Sequence, residues 1–319
     1  MELLRAPHAI GMSGARVATE ATELFHRTAI VLSLPIVLLL ATVSATCGSG
    51  GDAEKPTLYI GGIPDQNTSL LVRRFGDLAD YLSVRLGVKV EYVPSIHYAA
   101  VVTGFKTGDV HLAWYGGLTG VQARNAVPGA IAIAQRPRDE RFRSVFIVGG
   151  NVYAESLGDL KGLTFTFGSE SSTSGHLMPR HFLVQAGVDA DRDFRGLPNF
   201  SGSHDRTWKL VESGAYRAGA LSEAVWSSAV EEGRVDLEKV RLLLTTGPYY
   251  DYNWTVRPDL DRAFGDGFTG RLRDALLTMS DDPDQRGLLE AFQTDSFIAT
   301  ANENYAAIED VARRLGMIQ

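Results

Sequence analysis

"LTFTFGSESSTSGHLMPRHFLVQAG" (163–187) runs an apolar strand, a Ser/Thr-rich loop and an amphipathic helix in immediate succession. A strand passing through a polar loop into a helix is the elementary unit of an α/β fold. The helix is expected to start at Ser174 or Gly175 with Ser174 as N-cap, because a Ser side chain satisfies a free N–H of the first turn. Pro179 then falls in the first turn or just past it, where a missing N–H costs little. The unpaired N–H groups and the positive end of the helix dipole together form a corner suited to an anion. The hydroxyls of Ser172, Thr173 and Ser174 add neutral donors, and Gly175 lacks the Cβ that would block a tetrahedral oxyanion. A well-capped helix behind a polar loop uses the same residues with no ligand at all, so both readings stay open on these residues alone.

Outward from this stretch the alternation repeats. "TLYIGGI", "VKVEYVP", "DVHLAWYG", "GAIAIAQR", "RSVFIVGG", "RAGAL" and "KVRLLLTT" read as strands. Between them lie helical runs, the first putting Leu71, Phe75, Leu78, Leu82 and Leu86 on one face, with Gly87 as its C-cap. Helices around 269–280, 284–295 and 302–315 close the chain. The pattern predicts α/β with mainly parallel pairing. Two apolar-to-turn passages, near 145–155 and 244–253, are where a chain would cross between two lobes. This divides it into lobe 1 (57–147 and 250–319) and lobe 2 (148–249), with a ligand cleft between them.

The N-terminus reads as an address. Arg27 precedes an apolar run from Ala29 to about Ala45 that is short for a membrane span and interrupted by Pro35. Ser44, Ala45 and Thr46 lead into Cys47, the only cysteine, and "GSGGDAEKP" behind it is a flexible tether. The expectation is a signal peptide over 1–46, a tether over 47–56, and an acylated Cys47 that leaves the protein extracytoplasmic and lipid-anchored; a plain signal peptide cut near here, leaving a periplasmic protein, is the alternative. The stretch before Arg27 is long for a signal peptide, and initiation at Met12 or an extended basic region would each account for it. A lone cysteine excludes an intrachain disulfide and a Cys-based metal site.

The 319 residues carry a net charge of −7. Glu2, Glu20 and Glu23 balance Arg5, Arg16 and Arg27, so the acidity lies beyond the leader. An acidic body argues against nucleic acid, which needs clustered Lys and Arg. His176 and His181 are five residues apart and form no helical metal pair. No G-x-S-x-G elbow, Walker A or dinucleotide fingerprint is present. A Ser and His204 are the residues a hydrolase would use, with Asp205 and Asp251 as the acids within reach of that reading. His204, in "SGSHD", opens a helix that Ser203 or Asp205 can cap, and an exposed loop histidine is the simpler reading. Tyr98 and Tyr115 end a helix or a strand, where core packing is the usual role. "PYYDYNW" (248–254) gathers three tyrosines, Trp254 and Asp251 in a turn-rich segment of the kind that lines pockets, interfaces or core.

"DVHLAWYGG", "SSTSGHLMP", "SGSHD" and "PYYDYNWTVRPDL", in this order and spacing, resemble the substrate-binding proteins of phosphate/phosphite/phosphonate-type ABC transporters, including a branch assigned to selenate. The resemblance covers 57–319. It implies a type II periplasmic-binding-protein fold with two lobes joined by two strands, no catalysis and no cofactor or metal. It also implies a monomer that hands a small oxyanion to permease subunits. By position, Ser172, Thr173 and Ser174 match the oxyanion-holding residues, His204 a donor and Tyr98 a ligand-contacting tyrosine; Tyr115 is carried as a further candidate. Phe142 stands where a second ligand tyrosine is usual, and the two carboxylates are out of register by one residue, with Glu223 and Asp251 the nearest acids. The resemblance leaves a phosphorus oxyanion, selenate, or a receptor-sensing role on the same fold. The acids would decide the ligand, because an ionised carboxylate tolerates only a proton-bearing oxygen or an ammonium.

Overall fold

Leu71, Phe75, Leu78 and Leu82 are all buried along one side of helix α1 (Thr68–Leu86), as their spacing requires. Asn67 caps its start by accepting from the Ser69 and Leu70 N–H groups, and Gly87 ends it in the left-handed region at φ 66°. The structure, a computed structural model, describes residues 56–319; Cys47 and the leader lie outside them.

Helix α1 connects β1 (Leu58–Gly62) to β2 (Val90–Tyr92). Helix α2 (Tyr98–Thr107) leads to β3 (Leu112–Tyr115), and α3 (Gly117–Ala126) to β4 (Ile131–Gln135). The chain then enters a second sheet through β5 (Ser144–Gly149), β6 (Phe165–Phe167), β7 (Asn199–Phe200), β8 (Ala218–Ser222) and β9 (Val240–Thr245). Helices α4 (Met178–Gln185), α5 (His204–Glu212) and α6 (Glu223–Glu231) join these strands. The chain returns to the first sheet in β10 (Asn253–Val256) and β11 (Ile298–Ala299). Helices α7 (Leu260–Phe264), α8 (Phe268–Leu277), α9 (Arg286–Ala291) and α10 (Ala306–Arg314) pack on its core. The strand orders are β11-β4-β10-β3-β1-β2 and β7-β6-β8-β5-β9. Each sheet has its own apolar packing, with two separate clusters on the two faces of the second.

Three expectations are corrected. Pairing is mixed rather than mainly parallel: β10 lies antiparallel between β3 and β4, and β5 lies antiparallel between β8 and β9. A strand that arrives directly from the other lobe has no crossover helix to reverse it, so it pairs antiparallel. Second, "NWTV" within the aromatic segment is a central strand, buried at all four positions, and not part of a turn. Third, the first passage comes earlier than the boundary at 147/148. The chain leaves the first sheet after Gln135 and joins the second at Ser144, and it returns over 246–252. The two passages are tied by an antiparallel bridge between Phe142 and Tyr249. Among the described residues no helix is long and apolar enough to cross a membrane.

Candidate functional site

The Ser/Thr loop after β6 enters its helix through a π-helical turn, Thr173–Leu177, and this answers why a proline is tolerated so early. The Leu177 N–H reaches back five residues to Ser172 O at 2.9 Å, and the Met178 N–H bonds Thr173 O in the same way. The Gly175 carbonyl, which an α-helix would leave waiting for the N–H that Pro179 lacks, accepts instead from the Gly168 N–H at 2.8 Å. The Ser174 carbonyl accepts from the Ser144 hydroxyl at 2.7 Å. The cap is therefore Ser172, whose Oγ accepts from the Gly175 N–H at 3.0 Å, and not Ser174. Gly175 is required by its neighbours, since a Cβ there would lie 2.9 Å from Ser172 Oγ and 3.1 Å from Gly168 Cα.

This turn meets lobe 1 directly. The Leu118 N–H, at the start of α3, donates to Thr173 Oγ1 at 2.9 Å, and the Gly117 N–H donates to Asp251 Oδ1 at 2.8 Å. Gly116 makes the approach possible, because a Cβ on it would sit 2.9 Å from Thr173 Oγ1 and 3.0 Å from Asp251 Oδ1. Besides the Leu118–Thr173 bond, two others cross the cleft. The His204 N–H donates to Asp65 O at 3.1 Å, and the Asn67 N–H donates to Asp205 Oδ2 at 3.0 Å.

Between these contacts four buried polar atoms make no hydrogen bond of normal geometry: Tyr98 OH, beside the Ser172 hydroxyl, His204 Nε2, Asp65 Oδ1, and Asp251 Oδ2, with the Thr173 and Ser174 hydroxyls near its carboxylate. Buried polar groups are nearly always hydrogen-bonded, so orphans converging from both lobes mark a place for a polar ligand. Two of the four are donors. Burial pushes the Tyr98 hydroxyl well above the usual phenol range, so it keeps its proton. His204 Nδ1 accepts from the Ser222 N–H at 3.3 Å, which assigns the ring proton to Nε2. Burial lowers the His204 pKa against the pull of Asp65, so the ring is a neutral donor. The same bond removes the hydrolase geometry. No acid orients His204, and Asp205 is held by the Asn67 N–H and by Arg234 at 3.4 Å.

The other two orphans are carboxylate oxygens. Burial raises the Asp251 pKa to about 7, while the Gly117 N–H and the Thr173 and Ser174 hydroxyls pull it the other way. Asp65 follows β1 in "IPDQN" and the sequence reading passes over it. Its position just beyond the carboxyl end of a central strand, where open α/β sheets bind ligands, is the signal that would have found it.

Ser172, Thr173, Ser174, His204, Tyr98 and Asp251 are all buried and meet in this cluster. Tyr115 does not join it: its hydroxyl donates to Val101 O at 3.0 Å and its ring packs edge-on to Phe105. Glu223 also stays outside. It opens α6 half-exposed and lines a groove with Arg138, Arg141 and Phe142. Among the described residues no group of His, Cys, Asp and Glu could hold a metal ion.

Known proteins share this architecture. The family model of the ABC-transporter phosphonate periplasmic substrate-binding proteins matches residues 60–305. A probable ABC-transporter phosphite-binding protein of Prochlorococcus marinus is 43% identical over 270 residues, covering 82% of this chain and 91% of its own. A phosphate-import protein of Mycolicibacterium smegmatis is 29% identical, covering 61% and 66%. The solved structure of PhnD1 from Prochlorococcus marinus in complex with methylphosphonate matches with a TM-score of 0.80 at 43% identity, over 82% of this chain and 99% of that one. A binding protein of a phosphonate transporter from Pseudomonas aeruginosa, at 21% identity and a TM-score of 0.70, shares the fold. These relatives bind and deliver rather than catalyse. With a family model spanning both sheets and a 43% relative along most of its length, the chain belongs to the phosphonate-type periplasmic substrate-binding proteins of ABC transporters.

Proposed function

We propose that the chain captures a phosphorus oxyanion of the phosphite and phosphonate class in the interlobe cluster and delivers it to the permease of an ABC importer. The observation that carries this is the set of orphaned buried atoms beside the Thr173 turn, two neutral donors and two carboxylate oxygens. Neutral donors hold an anion without a competing counter-ion, and the carboxylates suit an oxyanion that still carries a proton. On this reading the working unit is a monomer. Isothermal titration of the purified mature protein with phosphite, methylphosphonate, phosphate, sulfate and selenate tests the reading. Saturable binding of phosphite or methylphosphonate at a single site is expected; binding of none of the phosphorus compounds overturns it.

Cys47 lies outside the described residues, and its acylation is part of the same proposal, supported by its place between an apolar run and a Gly/Ser tether. Cys47→Ser should release the protein from the membrane fraction or leave the precursor uncleaved. A wild-type protein whose N-terminus begins elsewhere and which carries no lipid overturns this.

A further inference from the structure

Asp65 has no role in holding the fold that accounts for both of its oxygens. It is 2% exposed. Oδ2 accepts from the Tyr252 hydroxyl at 2.8 Å, whereas Oδ1 has no partner. Arg74, buried behind it and resting over the Phe292 ring at 5.4 Å, would be the natural counter-ion. Yet Arg74 Nε and Asp65 Oδ1 are both left unpartnered, so the two do not close on each other. Among charged groups, Asp65 acts most strongly on both orphaned donors, Tyr98 and His204. Its own carbonyl accepts from the His204 N–H across the cleft, so the residue sits where the lobes meet.

A cluster that offers an anion two neutral donors has no evident reason to keep two carboxylates. Each repels a fully deprotonated oxyanion, and each can accept from an oxygen that bears a proton. The two are not equivalent. Asp251 Oδ1 accepts from the Gly117 N–H, and its high pKa lets Asp251 carry a proton itself near neutrality and donate it. Asp65 has only the Tyr252 hydroxyl, on its other oxygen.

Resting on the function proposed above, we infer that Asp65 is a specificity-determining residue. Its Oδ1 accepts the proton of a singly protonated tetrahedral oxyanion and excludes a proton-free one of the same shape. Phosphite, phosphonates and hydrogen phosphate satisfy it, and sulfate and selenate do not. The groups facing Asp65 are Arg74 on α1, Tyr92 on β2, Tyr98 on α2, Arg136 after β4, His204 on α5 and Tyr252 in the return passage. Asp251 is faced by Asp139, Tyr98, Tyr249, Tyr252 and Tyr305. Burial raises the pKa of each of these four tyrosines and of Tyr92, so none of them ionises near neutrality.

The test is the ratio of phosphite to sulfate affinity, by titration and competition, in wild type and in Asp65→Asn. The amide keeps the shape and can still accept from Tyr252, but it offers the ligand a donor. The expected result is a fall in that ratio of about tenfold or more, with phosphite weaker and sulfate stronger. An unchanged ratio, including an equal loss for both anions, overturns the inference. A second measurement needs no variant. In the wild type the ratio should fall as pH rises and phosphite loses its remaining proton, and a ratio independent of pH overturns the inference equally. Failure of the underlying function would show differently, as a wild type that binds no phosphorus oxyanion at any pH.

Discussion

Thr173→Val should weaken phosphite binding by about ten- to a hundredfold, the loss of one charge-assisted hydrogen bond worth roughly 1.5–3 kcal/mol. The structure pushes the expectation towards the upper end. Thr173 Oγ1 also accepts the Leu118 N–H from the opposite lobe at 2.9 Å, so the variant leaves that group unpaired whenever the lobes close. The Thr173 hydroxyl is buried, and its loss falls on the closed arrangement, while an open one returns the Leu118 N–H to water. Adding Ser172→Ala removes the cap on the Gly175 N–H and should abolish the ligand-induced thermal shift. Titration gives the affinity, and small-angle scattering with and without phosphite reports closure. A variant that binds as tightly as the parent would sink the cradle reading.

Asp139→Ala is expected to destabilise the fold by about 3–5 kcal/mol, the usual cost of stranding a buried charge. Arg136 Nε and Nη2 donate to Asp139 Oδ2 and Oδ1, each at 2.7 Å, and the guanidinium is stacked over Trp114 and Tyr252. The Arg136 Nη1 donates to Phe292 O at 2.9 Å, tying the first passage to the helices after β10. The Asp139 carbonyl accepts from the Asp251 N–H at 3.0 Å, so the pair also sets the backbone of a site residue. Equilibrium urea unfolding measures the change. Replacing both partners, Arg136→Met with Asp139→Leu, should recover much of the loss, because no charge is then left buried alone. A loss below about 1 kcal/mol for Asp139→Ala would instead mean that water reaches Arg136.

Much of the architecture was legible because it is local. The periodicity of Leu71, Phe75, Leu78 and Leu82 and the glycine at 87 define α1 without reference to any other part of the chain. Strand β10 was hidden because "NWTV" mixes polar and apolar residues, and its Asn and Thr are buried only by neighbours on both sides. The passage over 136–143 was placed too late for a related reason. "RSVFIVGG" reads as one apolar strand, and nothing in its composition says which sheet it joins. Within the site, Ser172, Thr173, His204 and Tyr98 were named from capping chemistry and resemblance. Asp65 was missed because no neighbouring side chain forms a motif with it, and only its place beyond the carboxyl end of β1 marks it.

The α/β alternation, the ends of α1 and the placing of neutral donors at the start of a helix were legible in the sequence, since each depends on residues a few positions apart. Tertiary structure alone decided which donors and acids share one cluster. Thr173 and Leu118 are 55 residues apart and Asn67 and Asp205 138 apart, and only the two passages between the sheets bring such pairs to hydrogen-bonding distance. It also decided the protonation states, because the neutral His204 and the raised Asp251 follow from burial between two lobes, a property no single segment possesses.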